Sequence, residues 1–226
     1  MFELKNICKS FGSLKVFDDF NINFNKNIIN CILGPSGCGK TTLLNIIAGL
    51  MLPDSGEISG INLDKISCVF QEPRLLPWKT ARKNIEFTLR DKYTQNEVME
   101  VVDKYIKLVQ LDGYGDYYPG QLSGGMNQRV SLARAFSFPS EIILMDEPFK
   151  GLDYKLKQSL QNSFLELWQS DKRTVIYVTH DVDEAIELGE NIFLFSKSPV
   201  KIVKTFPKNR IVENGKLKQM IIDLME

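Results

Sequence analysis

GPSGCGKTT, residues 34–42, is the most informative segment of this sequence. It follows an apolar stretch, NIINCILG at 27–34, that predicts a strand, and it leads into a helix predicted from Lys40 to about Leu50. The segment matches the pattern G-x-x-x-x-G-K-[ST], and a preceding strand with a following helix is the context that this pattern requires. Successive backbone N–H groups of such a loop face phosphate oxygens. A glycine-rich turn that contains an accidental lysine is the alternative.

The loop predicts a site for the phosphates of a nucleotide and for Mg²⁺. Lys40 is expected to reach the β and γ phosphates, and the Thr41 hydroxyl is expected to coordinate Mg²⁺. The glycines let the backbone curl around the phosphates. The candidate ATP-binding residues of this segment are Gly34, Pro35, Ser36, Gly37, Cys38, Gly39, Lys40, Thr41 and Thr42.

Two carboxylates follow a second apolar strand, IILM at 142–145. In a site for phosphate transfer, Asp146 would hold Mg²⁺, directly or through a water molecule, and Glu147 would act as the general base for the attacking water. The alternative is a solvated pair of acids at the end of a strand. The phosphate-binding loop elsewhere in the chain favours the catalytic interpretation.

Two further polar side chains end predicted strands. His180, the only histidine, ends RTVIYVTH at 173–180, and Gln71 ends ISCVFQ at 66–71. The carboxyl ends of parallel strands meet at one edge of a sheet, where α/β proteins bind ligands. His180 would then donate a hydrogen bond to the γ-phosphate or to the attacking water, and Gln71 would contact Mg²⁺ and that water. A structural histidine and an ordinary glutamine are the alternatives.

A second anion-binding arrangement occurs in LSGGMNQR, residues 122–129. Two glycines follow a serine shortly before a helix that the pattern predicts from Arg129 to Phe138. The start of a helix offers unpaired N–H groups and the positive end of a dipole. Since the chain already has a phosphate-binding loop, the second arrangement raises the question of whose phosphate it contacts.

The other segments predict an α/β protein. The N-terminal segments at 2–11 and 20–24 have the composition of strands, and we predict an antiparallel β portion there. A polar, turn-rich segment, LPDSGEISG at 52–60, connects to the strand at 66–71. Towards the C-terminus, continuous apolar runs alternate with helical patterns. Such runs indicate strands that are covered on both faces, as in a parallel sheet.

The pattern from about Trp78 to Phe138 is helical. Thr94 and Glu97 have the spacing of a capping box, and apolar residues follow at helical intervals: Val98, Val101, Val102, Tyr105 and Val109. We predict a helical subdomain at about 78–138 that is inserted into the α/β core. The whole chain, 1–226, is predicted to form a single domain.

Composition limits the partners and the location. Lys plus Arg and Asp plus Glu number 28 each, so no net field attracts nucleic acid, and we expect no nucleic-acid partner. Apolar runs such as the one at 43–52 are shorter than the roughly 20 residues that cross a bilayer. The N-terminus lacks the residue order of a secretory leader. We expect a cytosolic protein whose 4 cysteines stay reduced.

Together these motifs resemble those of the ATP-binding subunits of ABC transporters, in the family's order and over nearly the whole chain. They are GPSGCGKT (Walker A), Gln71 (Q-loop), the signature residues Leu122, Ser123, Gly124, Gly125 and Met126, ILMDE (Walker B), the D-loop residues Gly151, Leu152 and Asp153, and the switch histidine His180. The resemblance implies a P-loop NTPase fold, that of the ABC ATPases. It also implies that Phe11 stacks on adenine; a phenylalanine in the core is the alternative.

The resemblance implies a homodimer and explains the second anion site. Two subunits of this family pack head to tail, so that Ser123, Gly124 and Gly125 of one close over the ATP held by the other. Asp153 would then lie at the interface between the subunits and couple the two ATP sites. Because neither half-site alone positions the γ-phosphate, binding and hydrolysis of ATP would close and open the dimer.

The residues after Gln71 resemble those of importer ATPases. RLLPW followed by NI, with LSGGMNQR and MDEPF, is similar to the branch that serves nitrate, sulfonate, taurine and thiamine-precursor pyrimidines. We expect Leu75, Leu76, Pro77 and Trp78 to contact a membrane permease. An external solute-binding protein would deliver the solute to that permease. The ATPase would then lie at the cytoplasmic face of the membrane. A loop that packs into the subdomain's own core is the alternative.

Other functions remain to be weighed against this one. A soluble ABC ATPase that acts on DNA or ribosomes would carry a long coiled coil or a second cassette, and this sequence shows neither. A P-loop kinase or GTPase would share only Walker A. The segment FKGLD, where these importer relatives commonly read F-G-A-L-D, leaves the solute branch and the fit to partners open.

Overall fold

The computed structural model of the chain describes residues 2–208 and 214–225. The strands are β1 (Phe2–Phe11), β2 (Leu14–Phe24), β3 (Ile29–Leu33), β4 (Ser55–Ser59), β5 (Ile66–Phe70), β6 (Ile142–Asp146), β7 (Thr174–Thr179), β8 (Asn191–Phe195) and β9 (Ile202–Pro207). The helices are α1 (Lys40–Ile47), α2 (Ala81–Glu86), α3 (Gln95–Leu108), α4 (Gly124–Ser137), α5 (Tyr154–Ser170), α6 (Val182–Leu188) and α7 (Asn214–Met225).

These elements belong to two compact units. The first unit comprises the described residues of 1–66, 144–147 and 173–226, and the second comprises 67–143 and 148–172. The predicted limits of one domain over 1–226, with a helical subdomain at about 78–138, stay a prediction. Within the described ranges, no helix is both long enough and apolar enough to cross a membrane.

The N-terminal part of the first unit is antiparallel, as predicted, and its strands have the order β2-β1-β4. Aromatic side chains fill its buried face; the rings of Phe2 and Phe24, for example, lie 4.9 Å apart. β4 lies inside the segment 52–60, which the sequence predicted only as a turn-rich connection. Its residues pair with β1, Glu3 opposite Ser59 and Lys5 opposite Glu57, although their side chains are largely exposed. Backbone pairing at an edge stabilises this strand, so no apolar alternation marks it.

The parallel sheet of the first unit brings three strand ends together. β3 lies between β7 and β8 and is parallel to both, with Leu33 opposite Thr179 on one side and Leu194 on the other. The end of β6 lies on the far side of β7, where Glu147 N donates to Val178 O at 3.0 Å. β9 runs antiparallel to β8 at the edge. The residues that follow β3, β6 and β7 therefore meet at one edge of the sheet.

The second unit is mostly helical. The predicted capping box is confirmed at the start of α3, where the side chain of Glu97 accepts a hydrogen bond from Thr94 N at 2.8 Å. The helix buries a stripe that includes Val98, Val102 and Tyr105.

Helix α4 begins at Gly124, five residues before the predicted start at Arg129. Two glycines lower helix propensity, which misled the prediction. The Ser123 hydroxyl compensates, because it caps the helix by accepting from Met126 N at 3.2 Å. A Cβ on Gly125 would lie 2.4 Å from Cδ1 of Leu156, so a larger residue here would require that flexible side chain to move. The serine cap therefore marks the start of this helix.

Candidate active site

Residues 34–39 form a turn between β3 and the first residue of α1. Gly37 and Gly39 have positive φ, 76° and 120°, which other residues adopt only with strain. A Cβ on Gly39 would lie 2.5 Å from Cγ1 of Val16, so this position also lacks room for a side chain. The turn ends at the N-terminus of α1, where unpaired N–H groups favour an anion. The loop has the form that the sequence predicted for a phosphate site.

Lys40 is buried, and backbone oxygens of the loop hold its ammonium group. Nζ donates to Gly34 O at 2.7 Å and to Pro35 O at 2.9 Å. Oε1 of Glu147 lies 4.0 Å from the same nitrogen. A buried ammonium requires such partners, because its desolvation is costly. The first unit thus places a positive charge beside the loop and the carboxylate.

Thr41 and Asp146 offer a pair of oxygen atoms for a cation. Thr41 Oγ1 donates to Asp146 Oδ1 at 3.2 Å. A hydroxyl and a carboxylate suit Mg²⁺, which takes few protein ligands and completes its shell with phosphate and water. Within residues 2–208 and 214–225, no group of three or more His, Cys, Asp or Glu side chains could hold a metal by itself. The donors fit a metal ion that is bound together with a nucleotide.

Glu147 and His180 contact each other at the ends of β6 and β7. His180 Nδ1 and Glu147 Oε2 are 3.1 Å apart. When Glu147 is ionised it accepts, so Nδ1 carries the proton, and Nε2 can donate to a phosphate only in the protonated ring. The backbone of Glu147 has a φ of 44°, which residues other than glycine rarely adopt. The sequence predicted that the ends of these two strands lie at one edge of the sheet, but it carried no signal for the backbone conformation of Glu147.

A buried carboxylate supports the turn that carries His180. Glu184 Oε2 accepts from Tyr177 Oη at 2.8 Å and from Thr179 Oγ1 at 2.7 Å. Thr179 Oγ1 in turn accepts from Asp181 N at 3.0 Å. Burial, followed by the charge of Glu184, raises the pKa of Tyr177 well above its usual value, so the phenol stays a donor. The hydrogen bonds fix the residues on both sides of His180.

A residue that the sequence analysis missed supports the phosphate loop. Ser198 Oγ donates to Cys38 O at 3.0 Å. A peptide unit is planar, with its C=O and N–H pointing in opposite directions, so the N–H of Gly39 points away from Ser198. Burial raises the pKa of the Cys38 thiol, which therefore stays protonated beside this peptide. Nothing in the segment around Ser198 indicates this contact.

Phe11 is exposed at the end of β1. Its side chain is 46% exposed, so the alternative of a core phenylalanine is wrong. Lys9 Nζ lies 5.7 Å from the ring centroid and forms an ion pair with Asp54 Oδ1 at 2.7 Å. The ring therefore offers an aromatic face near a fixed positive charge.

The other candidate residues lie in the second unit. Ser123 and Gly124 are exposed at the start of α4, while Leu122 and Gly125 are buried and Met126 is partly buried. Asp153 caps α5, accepting from Leu156 N at 3.1 Å, and follows Gly151, whose φ is 77°, and Leu152. Gln71 is exposed directly after β5. The starts of α4 and α5 are thus both exposed to solvent.

The fold and this arrangement define a P-loop nucleotide-binding protein with two adjacent carboxylates, Asp146 and Glu147, at the end of β6. A family model described as ABC transporter matches residues 17–150. The chain therefore belongs to the ABC transporter family, as an ATP-binding subunit with ATPase activity. The predicted fold class, an α/β P-loop core with an N-terminal antiparallel portion, is confirmed.

Curated relatives agree with this assignment over most of the chain. An uncharacterized ABC transporter ATP-binding protein of Methanocaldococcus jannaschii is 43% identical over 88% of this chain and 79% of its own length. The aliphatic sulfonates import ATP-binding protein SsuB of Bacillus thuringiensis subsp. konkukian is 40% identical over 95% of this chain and 87% of its own.

Solved structures of the bacterial ABC transporter cassette MJ0796 have the same fold. Its dimeric structure superposes with a TM-score of 0.79 at 32% identity, covering 92% of this chain and 99% of that one. A second dimeric structure, of the post-hydrolysis state bound to ADP and Pi, gives 0.75 at 32% identity, with 91% and 100% covered.

Proposed function

We propose that this chain drives an importer for a small solute of the nitrate, sulfonate, taurine or thiamine-precursor type. The observation that carries the proposal is the 40% identity to an aliphatic sulfonates import ATP-binding protein over 95% of the chain. The segments RLLPW, LSGGMNQR and MDEPF support the same branch. The ATPase would lie at the cytoplasmic face of the membrane, beside a permease. An external solute-binding protein would deliver the solute to this permease.

The first unit would bind ATP and activate water. The N–H groups of residues 34–42 and the ammonium of Lys40 receive the phosphates, and Phe11 stacks on the base. Thr41 and Asp146 would hold Mg²⁺, which would supply positive charge to the phosphates. Gln71 stays a predicted further ligand. Glu147 takes a proton from the attacking water. His180, whose Nδ1 lies 3.1 Å from that carboxylate, would hold it in place and, when its ring is protonated, donate a hydrogen bond to the γ-phosphate or to the water.

The second unit would serve the ATP of a partner. Ser123 and Gly124 are exposed at a helix start, as a group that closes over a ligand on another subunit must be. We propose a head-to-tail homodimer in which this helix start completes the partner's site, and in which Asp153 lies along the interface. The family member MJ0796 has been observed as a dimer.

The segment Leu75–Trp78 would contact the permease. Trp78 is 70% exposed, so its side chain does not pack into the core of its own unit. Buried Asn84 anchors the segment: Leu76 N donates to its Oδ1 at 2.8 Å, and its Nδ2 donates to Lys79 O at 3.0 Å. An exposed aromatic side chain on an anchored loop is suited to protein recognition.

The test is capture of partners from detergent-solubilised cells of the source, using tagged Glu147→Gln protein with Mg-ATP and mass spectrometry. We expect a multi-span permease, accompanied by a solute-binding protein whose ligand identifies the solute. The double variant with Trp78→Ala is the control, and it should lose the permease while still binding ATP. Ribosomal proteins or DNA-repair factors without a membrane partner would instead support the soluble alternative and overturn the importer proposal.

A further inference from the structure

Gln128 lies one turn after the exposed start of α4, but its side chain is only 3% exposed. Its Nε2 donates two hydrogen bonds, to Pro148 O at 2.7 Å and to Phe70 O at 3.2 Å. A primary amide nitrogen has two hydrogens, so both donors are used. One buried side chain thus connects α4 with two other segments of the second unit.

The two acceptors adjoin catalytic candidates in the chain. Phe70 is the last residue of β5 and directly precedes Gln71. Pro148 directly follows Glu147. A shift of α4 therefore acts on the backbone next to the amide that we assign to Mg²⁺ and next to the carboxylate that we assign to water activation.

We propose that Gln128 is a positioning residue that transmits the state of the α4 helix start to Gln71 and Glu147. When Ser123 closes over a partner's ATP, α4 is fixed, and the Gln128 amide then fixes the carbonyls that precede Gln71 and follow Glu147. The ATP bound by one subunit thereby regulates the water-activating groups of the other. This inference rests on the proposed head-to-tail dimer.

The chemistry of this link requires the amide. A glutamate at this position has the same shape but only acceptor oxygens when ionised, so it would repel both carbonyls. A methionine has nearly the same length and fills the space without donating. Both substitutions remove the link, and methionine does so without introducing a buried charge.

The chain offers a matched control in α5. Gln161 is 2% exposed and belongs to the same unit, and its Nε2 has no hydrogen-bond partner within the described part of the chain. Replacing it with methionine changes a buried amide into the same apolar side chain. It therefore reports what such a substitution does when no donor bond is lost.

The test compares Gln128→Met, Gln128→Glu and Gln161→Met with the unmodified protein. The measurements are kcat and KM for ATP, equilibrium binding of a fluorescent ATP analogue, and the melting temperature. We expect both Gln128 variants to lower kcat by about 10- to 100-fold, the usual effect of losing an outer support of a catalytic group. Nucleotide binding should change less than about twofold, because the phosphate loop is untouched, and Gln161→Met should leave kcat within about twofold.

A second measurement shows whether the Gln128 variant fails in dimerisation or in the catalytic step. In the Glu147→Gln background, Gln128→Met should still form an ATP-dependent dimer, since Ser123 is unchanged. The proposal is overturned if Gln128→Met keeps kcat within about twofold, or if it loses nucleotide binding and kcat together. These assays use the purified subunit, so failure to capture a permease would refute the importer proposal and leave this result unaffected.

Discussion

Glu147 accepts a hydrogen bond from His180 when it is ionised, and the two side chains lie 3.1 Å apart at the ends of neighbouring strands. The backbone of Glu147 is held in a left-handed conformation by its N–H bond to Val178 O. The carboxylate is therefore fixed by its own backbone, by an imidazole and by the nearby ammonium of Lys40. Such a group is positioned before the substrate arrives, as a general base should be.

Glu147→Gln is expected to lower the ATPase kcat by roughly 10²–10⁴ while leaving ATP affinity nearly unchanged. The amide keeps the shape of the side chain but cannot take a proton from water. The variant should also accumulate an ATP-bound dimer. Steady-state ATPase assays and size-exclusion chromatography with ATP measure both effects, and normal turnover of the variant would show that another group is the base.

Much of this site could be predicted because it depends on local chemistry. A strand, a glycine-rich turn and a lysine at fixed spacing specify the phosphate loop, and two acids after an apolar strand specify their place at the sheet edge. Adjacency of β3, β6 and β7 then follows from parallel pairing. The capping box of α3 is equally local, since Thr94 and Glu97 are three residues apart.

The missed features depend on contacts between distant residues. β4 is an edge strand whose stability comes from pairing with β1, about 50 positions earlier, and a Cβ on Gly125 in α4 would meet the side chain of Leu156 in α5. Ser198 and Cys38 are 160 positions apart, and Gln128 reaches carbonyls 20 and 58 positions away. No periodicity or spacing records such bonds.

Ser198→Ala is expected to weaken ATP binding by about two- to tenfold. This factor corresponds to the loss of one neutral hydrogen bond, which contributes about 0.5–1.5 kcal/mol. The hydroxyl fixes the Cys38 carbonyl, and so the direction of the Gly39 N–H that we expect to face phosphate. Titration with a fluorescent ATP analogue measures the change, and Ser198→Thr should restore binding.

The control for this prediction is Ser196→Ala. Ser196 lies in the same loop, where its Oγ accepts from Lys201 N at 2.9 Å. Among the described residues, no hydrogen bond links Ser196 to the phosphate loop. If Ser198 acted only by stabilising the loop, both alanine variants would weaken ATP binding equally. Such a result would contradict the assignment.

The capping box makes the stability of α3 dependent on pH. Hydrogen bonds from Thr94 N and the Thr94 hydroxyl hold the pKa of Glu97 below its usual value of 4.5. A carboxyl with a lowered folded-state pKa stabilises the protein above the unfolded-state pKa, and this contribution is lost as the pH falls through the folded-state pKa. Glu97→Ala should therefore lower the melting temperature at neutral pH, and the difference should shrink on acidification.

Glu100→Ala provides the comparison, because Glu100 is an exposed glutamate in the same helix outside the capping box. Its effect on the melting temperature should be small, because no hydrogen bond of the capping box is lost. Thermal unfolding followed by circular dichroism from neutral pH to about pH 3 tests both variants. Parallel pH profiles for the two would refute a special role of Glu97.

Ser123→Arg is expected to block ATP-dependent dimerisation without affecting ATP binding by the monomer, because the serine acts on the partner's nucleotide. The side chain also caps α4 through Met126 N, so the substitution costs about 0.5–2 kcal/mol of stability for a reason unrelated to the partner. Ser123→Ala separates the two effects, since it removes the cap but adds no bulk at the helix start. We expect the alanine variant to lose stability and retain a weaker dimer, and the arginine variant to lose the dimer entirely. Equal loss of monomer ATP binding and dimerisation in Ser123→Arg, measured by nucleotide titration and analytical ultracentrifugation, would show that the site is not shared between subunits.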